Sequence, residues 1–282
     1  MTSSPGNVLA VARDLLREAR ARRWTLALLA GVTALLLLAA FGLELEVVDG
    51  ALAASRFFGR PSHGGITAAD VALRPLFEAV AYMVFYGGTL FGVLACADFA
   101  PALLAPGRIE HLLSLPVRRA ELVLGTFLGV ELLVLAGAVY GGLGLALIVA
   151  AKTGVFGWAP VAAAALGAVG FTGVYAVMMA AAMVARSAAL SAAAGAVVWV
   201  AGIVAGNRAA IAPLFEPGLA RAVFLALTAP LPRLSELGRH AARVANGLPL
   251  DPAQLAVQAG GTALFAAAAL AVALALFERK DF

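Results

Sequence analysis

The 282-residue chain is 63% hydrophobic and only 13% charged, with a net charge of +4 and a mean hydropathy of +0.97. A soluble domain carries about a quarter charged residues, so one aqueous core cannot absorb this apolar excess and the bilayer is its natural solvent. The arginines are spread among segment ends rather than gathered on one domain, which argues against nucleic acid as a partner, and the single cysteine, Cys96, excludes an intrachain disulfide or a cysteine metal cluster.

The fold predicted is all-α: a polytopic membrane protein with six transmembrane helices, preceded by an amphipathic interfacial helix. Residues 1–23 supply that first helix. Val8, Leu9, Ala12, Leu15, Leu16 and Ala19 recur at helical spacing, with Arg13, Arg17, Glu18 and Arg20 on the other face. Such a helix can lie flat at the inner membrane surface with its arginines on anionic headgroups, and Arg22-Arg23-Trp24 reads as its basic and aromatic anchor.

Residues 24–282 form a single transmembrane domain. A crossing helix needs about 20 mostly apolar residues, and six segments qualify: Trp24–Gly42, Leu76–Ala97, Leu122–Ala151, Trp158–Val184, Ala188–Gly206 and Ala253–Phe277. Six spans put both termini on one side. With the termini inside, inner segments hold eleven of the twenty basic residues at higher density near the spans, so the positive-inside rule gives N-in and C-in. The segment 44–75 reads mainly as an outer loop. The outer segment 207–252 is proline-rich, with Leu234, Leu237, Ala241 and Val244 sharing a face that either rests on the leaflet or caps the bundle. Gly125 with Gly129, Gly137 with Gly141, and Gly167, Gly170 and Gly173 are spaced for close helix packing.

Catalytic chemistry is missing from the sequence. With lysines only at 152 and 280 there is no phosphate-binding loop. The three histidines lie far apart, no His-Glu-x-x-His occurs, and no G-x-S-x-G elbow appears. The chain is therefore expected to have no catalytic residue, no metal and no cofactor of its own. Glu131 lies inside the third span, where a carboxylate is costly and a functional candidate by default; a paired structural residue and a transport-relevant group both remain open. Asp98 is expected to cap the inner end of span two, and Glu78 to pair with Arg74 one turn away.

Between spans two and three, Pro106–Gly125 reads PGRIEHLLSLPVRRAELVLG. Over Gly107–Leu115, Ile109, Leu112 and Leu113 share an apolar face, while Arg108, Glu110 and His111 point elsewhere. Pro116 disfavours helix at Leu115 and suits the first turn of a following helix. The result is a short amphipathic helix on the cytoplasmic face, either a docking element or a linker floating on the inner leaflet.

The stretch Leu112-Leu113-Ser114-Leu115-Pro116-Val117-Arg118-Arg119 with Glu121-Leu122-Val123-Leu124-Gly125 resembles the signature of type-2 ATP-binding-cassette (ABC) exporter permeases. The leading basic helix, the six spans and the ending Phe277-Glu278-Arg279-Lys280-Asp281-Phe282 fit that family. The pattern from Thr67-Ala68-Ala69 to Gly92 looks like the branch containing the nitrous-oxide-reductase copper-maturation permease. Two departures stand out: Ala100–Pro106 holds no acidic residue, and Thr126 stands where the family commonly has lysine.

The resemblance implies a transporter permease in the bacterial inner membrane, working as two copies of this chain with two copies of a separate ATPase, on which ATP and magnesium are bound. It places ATPase docking on Arg108, Ile109, Glu110, His111, Leu112, Leu113, Ser114, Pro116, Arg118 and Arg119, with Ile109, Leu112 and Leu113 as buried anchors and a second, smaller contact near Arg186-Ser187. An alternative is a mechanotransmission complex that acts on an outer (periplasmic) partner without moving substrate; a stand-alone carrier or channel driven through Glu131 is a further one, and an intramembrane enzyme stands third. Spans rich in alanine, glycine and leucine name no substrate.

Overall fold

The computed structural model describes residues 5–21, 24–48, 51–57, 60–63, 67–68, 74–154 and 156–280. Arg22, Arg23, Asp281 and Phe282, on which the anchor and part of the C-terminal resemblance rest, lie outside these residues. Helices dominate: α1 (Pro5–Ala21), α2 (Trp24–Gly42), α3 (Arg74–Tyr82), α4 (Gly88–Cys96), α5 (Phe99–Leu103), α6 (Arg108–Ser114), α7 (Arg119–Thr153), α8 (Ala159–Ala185), α9 (Ala188–Gly206), α10 (Arg208–Ile211), α11 (Leu219–Thr228), α12 (Leu234–Ala245) and α13 (Pro252–Glu278). Five stretches are helical, long and apolar enough to cross a membrane: Phe77–Leu103, Arg119–Lys152, Ala159–Ala185, Ala188–Gly206 and Pro252–Glu278. The first expected span, Trp24–Gly42, is a 19-residue helix without a charged residue, of which Leu29–Gly42 stands as a shorter apolar helix among the described residues.

The helical architecture expected is observed, with one interruption after α2. There four strands, where a loop was expected, pair in an antiparallel sheet: β1 (Leu43–Val48), β2 (Ala51–Phe57), β3 (Arg60–His63) and β4 (Thr67–Ala68), with β2 bonded to β1 along one edge and to β3 and β4 along the other. The cause is visible in Leu43-Glu-Leu-Glu-Val-Val48, whose apolar and charged residues alternate with the period of a strand.

Span two also departs from a plain helix. Between α3 and α4, Met83–Gly87 forms a π-helical turn, and after a turn at Ala97–Asp98 the chain continues as α5. A π turn misaligns the carbonyl ladder, and here Thr89 Oγ1 donates to Phe85 O at 2.8 Å and Tyr86 O at 3.1 Å, while Trp199 Nε1 donates to Thr89 Oγ1 at 2.9 Å. The helix axis thus stays continuous although its hydrogen-bond register slips.

The centre of the bundle is α8. Of its most apolar stretch 61% is buried, against 17–33% for the other four crossing helices, and it packs against α4, α7, α9, α12 and α13. Its glycines make this possible by facing different neighbours: Gly167 faces Phe85, Gly170 faces Phe85 and Leu234, and Gly173 faces Thr262 and Phe265. At about 1.5 Å per residue, the 35 residues of α7 reach roughly 52 Å, well beyond a hydrocarbon core of about 30 Å.

Both ends of the described chain meet at one end of the bundle. There α1 lies along the first turns of α7. The packing consumes the Gly125/Gly129 pair: a Cβ on Gly125 would stand 2.5 Å from Val11 Cβ, and one on Gly129 3.1 Å from Leu15 Cδ2. These glycines therefore seat the N-terminal helix rather than another span, whereas Gly137 faces open space. Ala12, Leu15 and Ala19 are buried, and Arg13, Arg17 and Arg20 are exposed on the opposite face.

At the other end, α12 takes the capping alternative. Leu234, Leu237 and Ala241 are fully buried, with Leu234 filling the space over Gly170 and Gly202. Ser235 Oγ donates to Ile203 O at 2.7 Å and accepts from Asn207 Nδ2 at 2.8 Å, and Arg239 Nη2 donates to Gly206 O at 2.9 Å. The last carbonyls of α9 are thereby satisfied by side chains of α12.

Candidate functional site

The expected docking helix forms as α6, over Arg108–Ser114. It begins at Gly107, whose φ of 78° is in the left-handed region, and ends at Leu115, which is extended at φ −81°, ψ 155°. The first geometry favours glycine because only it reaches positive φ without a Cβ clash. The second is what a following proline enforces. Ser114 Oγ closes the last turn on His111 O at 2.7 Å.

The three apolar residues assigned to a partner pack, wholly or in part, against this chain's own core. Ile109 is 2% exposed, and Leu112 and Leu113 are half-buried against the same core. Reading one amphipathic face from spacing could not say whose core it enters. The outward side of the segment consists of Glu110, His111, Ser114, Leu115 and Pro116, all exposed, with Leu115 at 42% the apolar one.

The charged residues of the segment are divided between inward and outward tasks. Arg108 grips Glu18 of α1 with both nitrogens, Nη1–Oε1 at 2.6 Å and Nη2–Oε2 at 2.5 Å. Arg119 turns to the C-terminal end of α13, donating from Nη1 to the carbonyls of Phe277 (3.2 Å), Glu278 (2.9 Å) and Lys280 (2.8 Å), with its guanidinium 5.9 Å from the centre of the Phe277 ring. A cation there suits the negative end of the helix dipole. Arg118 is exposed at the N-cap of α7, and its backbone N–H donates to Glu121 Oε2 at 2.9 Å. The same oxygen accepts from Asn7 Nδ2 at 2.9 Å, so a buried glutamate joins α1 to the start of α7.

These contacts make one platform from α1, α6, the start of α7 and the end of α13. A cleft of about 190 Å³ opens between α1 and α6, lined by Val11, Leu15, Leu112, Leu115 and Val117 among others. The turn between α8 and α9 lies nearby. Arg186 adopts a left-handed conformation at φ 49°, unusual for a residue with a Cβ. Burial and then the Arg186 charge hold the Lys280 ammonium below its ordinary range. Sequence reasoning missed Glu18, Asn7 and Glu121 as parts of this platform. The spacing of Glu121 after Arg118 carried a capping signal, whereas the reach of Asn7 and Glu18 from a separate helix carried none.

The two other carboxylates fare differently. Asp98 holds the N-cap position of α5, but its side chain makes no capping hydrogen bond there and is exposed. Glu131 is in the membrane part of α7. Its Oε2 is approached by Thr172 Oγ1 of α8 at 3.4 Å, and its Oε1 is buried without a hydrogen-bond partner among the described residues. Among the described residues no group of three or more His, Cys, Asp or Glu side chains is arranged to hold a metal.

Comparison with known proteins returns no matching family model and no matching curated protein. What the chain does must therefore be argued from the platform and the bundle themselves.

Proposed function

We propose that the chain is the membrane-spanning permease subunit of an ABC transporter, of the type-2 exporter class, with six spans and both termini in the cytoplasm of a bacterial inner membrane. The single observation that carries this reading is α6. It is a short helix set between two crossing helices at the end where both termini meet, entered through a left-handed glycine and left through a proline. A loop that only connected two spans would not need such fixed entry and exit. In this reading a separate ATPase binds ATP and magnesium and docks on Glu110, His111, Ser114, Leu115, Pro116 and Arg118, and the chain itself is not an enzyme. Ile109, Leu112 and Leu113 then transmit rather than dock, because any push on α6 passes through them into the core shared with α4 and α7. Two copies of the chain would form the pathway.

The sheet at residues 43–68 and the α12 cap favour a second reading, in which the same movement is passed to an outer partner protein without translocation. Copurification with an ATPase tests the first step common to both. Leu115→Asp, at an exposed site, is expected to lose a nucleotide-hydrolysing companion that the native chain retains, while Leu9→Asp on exposed α1 keeps it. If Leu115→Asp binds the companion as well as the native chain, the docking face is wrong; if the native chain moves its cargo with no companion, the class is wrong and a carrier driven through Glu131 takes its place.

A further inference from the structure

The acidic and basic residues of the crossing helices, among those described, stand at or near helix ends or breaks with one exception, Glu131. It lies on α7 one turn after Phe127 and faces Thr172 on α8. The Tyr175 ring is stacked on Phe127 at 5.8 Å and on Phe171 at 5.7 Å, at interplanar angles of 24° and 18°. Those stacks fix the plane of a phenol that is wholly buried and whose hydroxyl has no hydrogen-bond partner.

The hydrogen-bond supply at Glu131 is short. Thr172 has one hydroxyl proton, and Oγ1 directs it both at Ala168 O (3.2 Å) and at Glu131 Oε2 (3.4 Å). The backbone carbonyl is the nearer acceptor, so the carboxylate receives at most a share of one hydrogen bond. Among the described residues Oε1 receives none, from arginine, lysine or any other donor. A bare carboxylate in hydrocarbon is costly and is kept where a positive charge meets it. The threonine oxygen and the carboxylate oxygens meet between α7 and α8, and the phenol, one turn along α8 from Thr172, adds a third hard donor on the same helix. Such donors suit a proton or a small alkali ion rather than a soft metal.

We propose that Glu131, with Tyr175 and Thr172, forms an intramembrane binding site for one small monovalent cation, either a proton or an alkali ion. The site holds whether or not an ATPase drives the chain, so it stands apart from the docking proposal. It gives the two-state movement of the bundle a charge to take up or release at α7, the helix that α6 leads into.

Infrared difference spectroscopy of the full chain in nanodiscs of neutral lipid tests it, first across pH 4.5–9, then at fixed pH with sodium or lithium replacing N-methylglucamine. For a proton site, a protonated-carboxyl band titrates with pH, ignores sodium and lithium, and is absent from Glu131→Gln. For an alkali site, carboxylate bands shift on adding sodium or lithium, and Glu131→Gln removes the shift. Tyr175→Phe is expected to move the titration midpoint by about tenfold in cation concentration, the scale of one hydrogen bond to a charged group. If Glu131→Gln does not fold, Glu131→Asp serves the assignment by displacing the same band. Wild-type and Glu131 variant spectra that respond identically to pH and to every cation would overturn the site, and a Tyr175→Phe midpoint equal to wild type would overturn the phenol's place in it.

Discussion

At the end where the termini meet, α1, α6 and α7 pack through Leu15 and Ile109 and are tied by polar links: Arg108 with Glu18 at 31% and 24% side-chain exposure, Asn7 with the buried Glu121, and Arg119 with the carbonyls ending α13. At the opposite end, α12 is held by Leu234 and Leu237, which are wholly buried, and by the hydroxyl and amide bonds that close α9. Leucines in a close-packed site resist any displacement, whereas ion pairs near water exchange partners at small cost. The contrast teaches where the molecule can move. A bundle clamped at one end and clasped at the other opens at the clasp, which is the end carrying α6.

The sharpest way to break this comparison is to weaken the clamp. Leu234→Ala removes three heavy atoms of filling above Gly170 and Gly202, and is expected to cost about 2–5 kcal/mol, with the loss at the high end if α12 cannot settle into the gap. Thermal unfolding in detergent, followed by helical circular dichroism, should show one transition lowered for the whole bundle. A separate early transition confined to α12 would mean that the cap is an accessory and not a clamp.

The matching change at the clasp should behave differently. Gly125→Leu places a side chain where Val11 and the Val8 carbonyl now stand, an overpacking worth about 1–3 kcal/mol. The strain is relieved if α1 lifts away, so the expected outcome is proteolytic exposure of residues 5–21 with the main unfolding transition almost unmoved. Loss of the entire fold would show that α1 is as integral as α12.

This difference also explains what could be read in the sequence. The crossing helices were legible because twenty apolar residues have few alternatives, and their bounds fall close to the expected ones: Ala188–Gly206 coincides, and Ala159–Ala185 is offset by one residue at each end. The start and stop of α6 were legible from Gly107 and Pro116, residues that act on their own backbone. The inward turn of Ile109 was not, since an apolar face is complementary to any core. Nor was the use of Gly125 and Gly129 to seat α1, because a glycine states only that something comes close. The sheet at 43–68 was signalled by Leu43–Val48 and overlooked beside the glycines and proline that follow. The meeting of Glu131 with Thr172, and of Phe127 with Tyr175, depends on how α7 and α8 are rotated against each other, which no single helix specifies.

Acidity probes the clamp from another side. His240 is 4% exposed on α12, and its Nδ1 is buried without a partner. Burial holds the imidazole below its ordinary value; Glu236 opposes this, Arg243 and Arg239 add to it, and Asp251 opposes it more weakly. A histidine whose folded value is depressed contributes stability that is complete above its unfolded value of about 6.5 and is lost as pH falls through the lower folded value. Denaturation midpoints should therefore fall below about pH 6.5, and His240→Gln should flatten that decline. The same slope in wild type and variant would place the acid sensitivity elsewhere.

The smallest expected effect lies in the clasp. A double-mutant cycle with Glu18→Gln and Arg108→Gln removes the charge of each side chain, so that the coupling measures their pairing. Both groups are about a quarter to a third exposed, and an ion pair at that depth is screened by water and salt, so a coupling of about 1 kcal/mol or less is expected even with bidentate geometry. Raising the salt should shrink it further. A coupling several times larger, indifferent to salt, would mean that the clasp is desolvated and as rigid as the clamp. The bundle would then have no soft end, and α6 could move only together with α1.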